Sequence, residues 1–124
     1  MRTPKEALTE FKRDKGNLNA ELPDVMAHLD GLFQVSLANG ALTIKQKEFI
    51  VLGIAMATHC EPCILVHLEK ALGAGATKAE ILEACGVAIA MGGGTTMACI
   101  PLVLKYLAAC DGLFPSNPQG SQTV

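Results

Sequence analysis

The sequence predicts an all-α protein, and three observations point to that class. Helix start and stop signals recur along the whole chain of 124 residues, and apolar residues return at helical spacing between them. Half of the residues are hydrophobic, but only 4% are aromatic and tryptophan is absent. A core of small and aliphatic side chains favours packed helices over a β-sandwich, because strands prefer β-branched and aromatic residues.

The start and stop signals divide the chain into about six helices. Capping-box patterns begin at Thr3, Thr43 and Thr77, and Pro4 occupies a first helical position. Glycine and asparagine mark the stops, from Gly16-Asn17 at the end of the first helix onwards. The predicted helices cover residues 4–15, 23–38, 43–58, 62–73, 77–91 and 95–110. The second carries an ordinary amphipathic stripe that we assign to packing.

The length fits one compact helical domain, which we place at residues 1–112. Residues 113–124 are polar and hold two prolines, so we expect a flexible tail. Pro101 lies within the sixth helical segment and should either kink it or separate its first part as a turn. The third, fifth and sixth helices are apolar nearly all round. A chain of this size cannot cover all three, so we expect a homo-oligomer.

Charge and hydropathy exclude several classes of function. The net charge is -2, and the N-terminal lysines and arginine alternate with acidic residues, which indicates a solvated face and no nucleic-acid partner. No apolar run approaches the roughly 20 residues of a membrane span, and the N-terminus lacks the apolar core of a signal peptide. We therefore expect a soluble, cytoplasmic protein without a membrane partner. Five cysteines cannot all pair within one chain, and in the cytoplasm a close pair is typically catalytic or metal-binding.

The stretch HCEPCILVH, residues 59–67, holds the residues best suited to chemistry. Pro62 marks the first turn of the fourth helix and places Cys60 at or just before its N-terminus, where unpaired amides and the helix dipole favour a thiolate. His67 lies four residues after Cys63 on the same helix face, and a base beside a thiol suits nucleophilic sulfur chemistry. Cys60 could then resolve the oxidised sulfur as a disulfide.

Glu48 adds an upstream member to this group. It lies in the third helix on a face shared with Leu52 and Ala55, and a carboxylate in an apolar setting needs a partner. An antiparallel helix beginning at Pro62 would bring His67 back beside the early part of the third helix. We therefore expect Glu48 to orient the imidazole and stabilise its charged form.

The pattern Glu48-x11-Cys60-x2-Cys63-x3-His67 resembles the motif of the AhpD-like proteins of the carboxymuconolactone decarboxylase superfamily. The resemblance runs from about Leu22 to residue 110 and implies an all-α bundle that assembles into trimers or hexamers. It also implies a thiol-disulfide peroxidase that reduces hydroperoxides or partner disulfides. In that reading Cys63 is the peroxide-attacking thiolate and Cys60 its disulfide partner, with His67 as base and Glu48 as its orienting carboxylate.

Turnover of such a site requires an external thiol reductant, such as a thioredoxin-like or lipoyl-bearing protein. No bound cofactor and no metal are implied. The chain departs from the family pattern at Pro62, because the best-known AhpD proteins have a histidine immediately before the second cysteine. His59 precedes the first cysteine instead and is a candidate accessory residue.

Two alternatives remain open from the sequence. In the first, the protein is a lactone decarboxylase-like enzyme in which His67 and Glu48 transfer protons and the cysteines are incidental. In the second, it is a non-catalytic helical module stabilised by zinc, with Cys60, Cys63, His67 and either His59 or Glu48 as ligands.

The remaining candidates are assigned to packing. Cys85, Cys99 and Cys110 have no histidine or acidic residue at a telling spacing and are expected in the core. Tyr106 is assigned to packing or an interface. The glycine run at residues 92–94 follows no predicted strand, so we interpret it as a tight turn between helices and not as a nucleotide-binding loop.

Overall fold

The computed structural model describes residues 2–110 of the chain, and all regular secondary structure in this part is helical. The all-α prediction is therefore confirmed. The helices are α1 Pro4–Glu21, α2 Pro23–Leu37, α3 Ile44–Ala57, α4 Glu61–Gly73, α5 Lys78–Gly92, α6 Gly94–Met97 and α7 Ile100–Ala109. The predicted tail at residues 113–124 and the predicted domain boundary at residue 112 lie outside the described residues. Within the described part, no helix combines the length and the hydropathy needed to cross a membrane.

All three predicted capping boxes form, at Thr3, Thr43 and Thr77. In each, the threonine side chain accepts the backbone N–H three residues later, and the side chain of that later residue accepts the threonine N–H. These reciprocal bonds satisfy amides that have no partner inside the helix. They fix where α1, α3 and α5 begin.

The first helix ends later than the sequence predicts. α1 continues through the predicted stop at Gly16-Asn17 and ends at Glu21, just before Pro23 begins α2. A glycine inside a helix costs about 1 kcal/mol, which packing of the helix against its neighbours can offset. The proline is the stronger terminator, because it disfavours a helical conformation in the preceding residue. Leu22 accordingly leaves the helical region, with φ at −130° and ψ at 61°.

The sixth predicted helix is divided in two. Of the two effects expected of Pro101, a kink or a separate first turn, the structure shows the separate turn. The single turn α6 is followed by Ala98 and Cys99, and Pro101 lies in the first turn of α7. Proline is tolerated there because the amides of a first helical turn have no partner within the helix.

The core lies where α3, α4, α5 and α7 meet. Its largest fully buried apolar side chains are Leu52, Met56, Ile64, Leu68, Ile81, Val103 and Leu107. α3 packs against both α4 and α5, so it is the central helix of the domain. The two buried polar residues of the described part are Glu48 on α3 and Thr96 on α6.

Several apolar side chains remain exposed. The α2 helix has a single buried residue, Met26, and its Val35 is 79% exposed. Ile54 on α3 and Met91 on α5 are 59% and 87% exposed. The incomplete coverage expected from the size of the chain is therefore present.

Candidate active site

The turn between α3 and α4 sets the position of the cysteine pair. After the cap residue Thr58, the His59 N–H donates to the Met56 carbonyl at 3.2 Å, and the Cys60 N–H donates to the Ala55 carbonyl at 2.9 Å. These two bonds form a Schellman motif, with His59 in the left-handed region at a φ of 55°. The turn is short and fully bonded, so it holds the start of α4 firmly against the end of α3.

Cys60 is the N-cap residue of α4, as predicted. Its Sγ accepts the Cys63 N–H at 3.3 Å, and Glu61 and Pro62 occupy the first two helical positions. Cys60 and Cys63 are joined as a disulfide, with their Cα atoms 5.2 Å apart. Both sulfur atoms therefore lie at the positive end of the α4 dipole, which stabilises a thiolate once the bond is reduced.

Glu48 and His67 contact each other across the α3–α4 pair, as the sequence predicts. Glu48 Oε2 lies 2.6 Å from His67 Nδ1. The Glu48 side chain is 2% exposed and that of His67 is 12% exposed. An ionised carboxylate can only accept, so Nδ1 carries the proton and Nε2 is left for proton transfer to or from another group.

A cleft of about 780 Å³ leads to these residues. Cys63, His67 and Glu48 all line it, whereas Cys60 is not among its lining residues. The walls are mostly apolar and come from α1, α2 and the facing sides of α3 and α4: Phe11, Leu18, Met26, Leu29, Phe33, Leu37, Ile44 and Val66. Cys63 is thus the cysteine that a molecule in the cleft meets, and His67 lines the same cleft four residues further along α4.

His59 is not brought to the cleft with the others. Its side chain is exposed, and the residue does not line the cleft. Its backbone conformation is required by the Schellman turn, which accounts for its place in the fold without a role in chemistry. Its accessory role therefore remains a prediction. Pro62 occupies the first turn of α4, so this chain has no imidazole between the two cysteines.

The geometry does not favour the zinc hypothesis. Among residues 2–110, no three or more histidine, cysteine, aspartate or glutamate side chains converge as a metal ion would require. His67 directs one ring nitrogen to Glu48, and the two cysteines are bonded to each other. A tetrahedral zinc site would need these side chains to turn toward a common point.

The other cysteines lie mostly in the interior. Cys85 and Cys110 are buried, and Cys99 is half-buried with its Sγ 3.7 Å from the Met56 carbonyl oxygen. Burial raises the pKa of the Cys85 thiol, which keeps it protonated and unreactive. Burial also raises the pKa of Tyr106, with a further contribution from the neighbouring Cys110. The packing assignments of Cys85, Cys110 and Tyr106 agree with this burial.

Sequence reasoning missed the walls of the cleft. The apolar stripe of α2 was assigned to packing, yet Leu29 and Phe33 line the cleft and remain partly exposed. Lys70 was also missed, although it follows Cys63 by seven residues and His67 by three on one face of α4. That spacing was the available signal.

Comparison with known proteins places this chain in a family. Residues 23–103 match the Carboxymuconolactone decarboxylase family. An uncharacterized protein of Cupriavidus necator is 31% identical over 107 residues, which cover 86% of this chain and 95% of that protein. An uncharacterized protein encoded in the cox locus of Paracoccus denitrificans is 37% identical over 81 residues, covering 65% of this chain and 73% of that protein.

Solved structures agree with the sequence comparisons. The apo form of a carboxymuconolactone decarboxylase family protein from Legionella pneumophila superposes with a TM-score of 0.81 at 28% identity, covering 86% of this chain and 95% of that one. A protein of Thermotoga maritima shares the fold at 22% identity, with a TM-score of 0.77 and coverage of 87% and 96%. The matched segment spans α2 to α6 and the start of α7, and so contains every residue of the cysteine–histidine–glutamate site. The chain therefore belongs to the carboxymuconolactone decarboxylase family, within the superfamily that includes the AhpD-like proteins.

Proposed function

We propose that this protein is a thiol-disulfide redox enzyme that reduces hydroperoxides, or disulfides of a partner, through Cys60 and Cys63. The observation that carries the proposal is the arrangement of three side chains at the cleft. Cys63 and His67 line the same cleft, and the buried Glu48 holds the His67 ring in place through its contact with Nδ1. A thiol four residues before an oriented base on the same helix face is the arrangement that nucleophilic sulfur chemistry uses.

The reaction balances with the residues present and one external reductant. The Cys63 thiolate attacks the outer oxygen of a hydroperoxide, the O–O bond breaks, and Cys63 becomes a sulfenic acid. The leaving alkoxide takes a proton from the protonated His67 and departs as an alcohol. The Cys60 thiol then attacks the Cys63 sulfur and releases water, which forms the disulfide. Two electrons and two protons from an external dithiol restore both thiols.

The same proposal includes the partners of the reaction. A thioredoxin-like or lipoyl-bearing protein would supply the dithiol, and a reducing compartment such as the cytoplasm would keep it reduced. The exposed apolar side chains of α2, α3 and α5 support assembly into a homo-oligomer, a trimer or a hexamer.

Counting free thiols tests the proposal. Reduced wild-type protein treated with one equivalent of hydroperoxide should lose two thiols, and peptide mapping should find them as a Cys60–Cys63 disulfide. In Cys60→Ser the same treatment should consume Cys63 alone, trapped as a sulfenic acid that a dimedone probe labels. Survival of all five thiols in the wild-type protein would refute the proposal.

A lactone decarboxylase-like reaction is the second candidate, because the His67–Glu48 pair could transfer a proton in the cleft without any sulfur step. The two candidates differ in which substitution matters. A decarboxylase would lose its activity on a lactone acid in His67→Ala and keep it in Cys63→Ser. The redox enzyme would lose its activity on hydroperoxides in Cys63→Ser.

A further inference from the structure

Lys70 extends the row of functional side chains along α4. It follows Cys63 by seven residues and His67 by three, so all three residues lie on the helix face that lines the cleft. With a rise of 1.5 Å per residue, the Cα atoms of Cys63 and Lys70 lie about 10 Å apart along the helix. A cation is thus held two helical turns from the reactive sulfur.

The other two lysines of the cleft already have acidic partners. Lys12 Nζ lies 2.6 Å from Glu69, which ties α1 to α4, and Lys15 Nζ lies 3.0 Å from Asp30, which ties α1 to α2. Lys70 has no acidic side chain within 4 Å in the part of the chain that the structure describes. Of the three lysines that line the cleft, Lys70 is therefore the one whose ammonium group is available to bind a ligand.

Lys70 lies where the cleft meets a second hollow of about 570 Å³. The two spaces share Ile44, Glu48 and Lys70, and the hollow adds Lys45, which is paired with Glu80 at 3.0 Å. The carboxylate of Glu48 is bonded to His67 and does not neutralise Lys70. Lys70 is therefore the cation that a ligand meets at this end of the cleft, in contrast to the apolar walls beside Cys63.

The cleft has mostly apolar walls, a lysine at one end and Cys63 along its length, so it suits a ligand that has a long apolar part and a negatively charged end. We propose that the preferred hydroperoxides carry a carboxylate at the end of a long apolar chain, and that Lys70 binds this carboxylate. The chain lies against the α2 wall formed by Leu29 and Phe33, and the peroxide group reaches Cys63 and His67. The inference rests on the proposed redox function, and its chemistry is the reduction of the peroxide to an alcohol and water by the two cysteines.

The test compares two hydroperoxides that differ only in charge: the 13-hydroperoxide of linoleic acid and its methyl ester, in the same detergent. The second-order rate constant for loss of thiols is measured with each. Wild-type protein should react roughly two- to fivefold faster with the acid, the range set by one solvent-exposed ion pair. Lys70→Gln should remove this preference, Lys70→Glu should invert it, and Lys70→Arg should retain it.

Lys105→Gln is the matched control, because Lys105 is an exposed lysine on α7 that does not line the cleft. It should react like the wild type with both compounds. Equal rates with acid and ester in the wild type, or a preference that persists in Lys70→Gln, would overturn the inference while leaving the redox function intact. Failure of both hydroperoxides to oxidise any thiol would instead overturn the redox function.

A second variant tests whether the apolar α2 wall binds the substrate or instead forms an interface with a second copy of the chain. Leu29→Ser should slow the reaction with both long-chain compounds relative to tert-butyl hydroperoxide, because it removes apolar contact with the chain of the substrate. Unchanged relative rates together with a smaller assembly in sedimentation would show that the wall is an interface between copies, and would overturn the proposed mode of binding.

Discussion

Glu48 on α3 and His67 on α4 form a nearly buried pair, with 2.6 Å between Oε2 and Nδ1. A carboxylate with 2% of its side chain exposed has lost most of its hydration, so the imidazole is its main compensation. In return the carboxylate fixes the orientation and the tautomer of the ring, which leaves Nε2 as the nitrogen that can exchange a proton. The pair thus links the stability of the α3–α4 contact to the chemistry proposed for Cys63.

Glu48→Gln should slow the oxidation of Cys63. The amide has the same shape and can still accept from Nδ1–H, but it has no negative charge to attract the positive charge that the ring carries during proton transfer. We expect the second-order rate constant with a hydroperoxide to fall roughly tenfold or more, a modest share of what positioned acid-base groups contribute. Quenched-flow alkylation followed by mass spectrometry measures it on the reduced protein.

Glu83→Gln serves as the control, since Glu83 is an exposed glutamate on α5 and does not line the cleft. It should leave the rate unchanged. His67→Ala should lower the rate at least as much as Glu48→Gln, and the double variant should lower it little further because the two residues act as a unit. Additive losses would contradict the pair.

His67→Ala should also destabilise the fold, because it leaves a buried carboxylate without a partner. Removing one member of a buried pair costs about 3 kcal/mol. Urea denaturation followed by circular dichroism measures this loss as a shift of the midpoint at constant slope. Adding Glu48→Gln to His67→Ala should recover part of it, since a neutral amide is less costly to bury than a charge. A double variant less stable than His67→Ala would be inconsistent with this account.

The positions of the candidate site residues were largely predictable from sequence because their determinants are local. The CxxC spacing, the proline after Cys60 and the i+4 histidine lie on one helix, and the three-residue turn after α3 forces that helix to return antiparallel. Glu48 could be added because a carboxylate on an apolar face needs a partner. The end of α1 was not predictable from Gly16-Asn17, since the packing of α1 against α2 and α4, which offsets the cost of the glycine, joins residues far apart in sequence.

The cleft could not be predicted for a related reason. An apolar stripe on a helix has the same sequence pattern whether it is covered by the core or left facing a cavity. For Leu29 and Phe33 the outcome depends on how far α2 stands from α4, and that separation is a tertiary property. The same holds for Lys70. Helical spacing predicts that it shares a face of α4 with Cys63 and His67, but the sequence does not show that this face lines a cleft.

Gly92→Ala should destabilise the junction of α5 and α6. A Cβ at Gly92 would overlap Thr96 Oγ1 and lie 2.8 Å from Thr96 Cβ, and Thr96 is fully buried. Relieving such an overlap requires the backbone to shift, which costs typically 1–3 kcal/mol. Thermal and urea unfolding measure the loss.

Gly86→Ala provides the comparison on the same helix. A Cβ at Gly86 meets no atom within 4 Å, so alanine should raise stability by up to about 1 kcal/mol through its better helix propensity. Thr96→Ala should rescue part of the loss in Gly92→Ala, because it removes the overlapping hydroxyl. If Gly92→Ala and Gly86→Ala changed the stability by the same amount, the predicted overlap between a Cβ at Gly92 and Thr96 would be refuted.

His59→Gly should stabilise the protein. His59 is the non-glycine residue with a positive φ among residues 2–110, and a left-handed conformation costs roughly 1 kcal/mol for a residue with a Cβ. Thr58→Gly is the matched change one position earlier, at a φ of −94°, where glycine gains nothing and the Thr58 hydroxyl bond to the Ile54 carbonyl is lost. We expect the two variants to shift the urea midpoint in opposite directions. A loss of hydroperoxide activity in His59→Gly would support its accessory role in the site.

The ion pair of Glu80 with Lys45 predicts a dependence of stability on pH. The Thr77 backbone N–H and then Lys45 lower the pKa of the Glu80 carboxyl below its ordinary value of about 4.3. A pKa that is lower in the folded than in the unfolded state stabilises the fold above the unfolded value, and this contribution is lost as the pH falls through the folded value.

Glu80→Gln keeps the capping geometry of α5 and removes the charge. Wild type should therefore exceed Glu80→Gln by about 0.5 kcal/mol at pH 7, a small figure because both partners are about one-third exposed. Urea denaturation of the two proteins from pH 7 down to about pH 3 should show this difference shrinking. A difference that grew toward acid pH would contradict the assigned direction of the pKa.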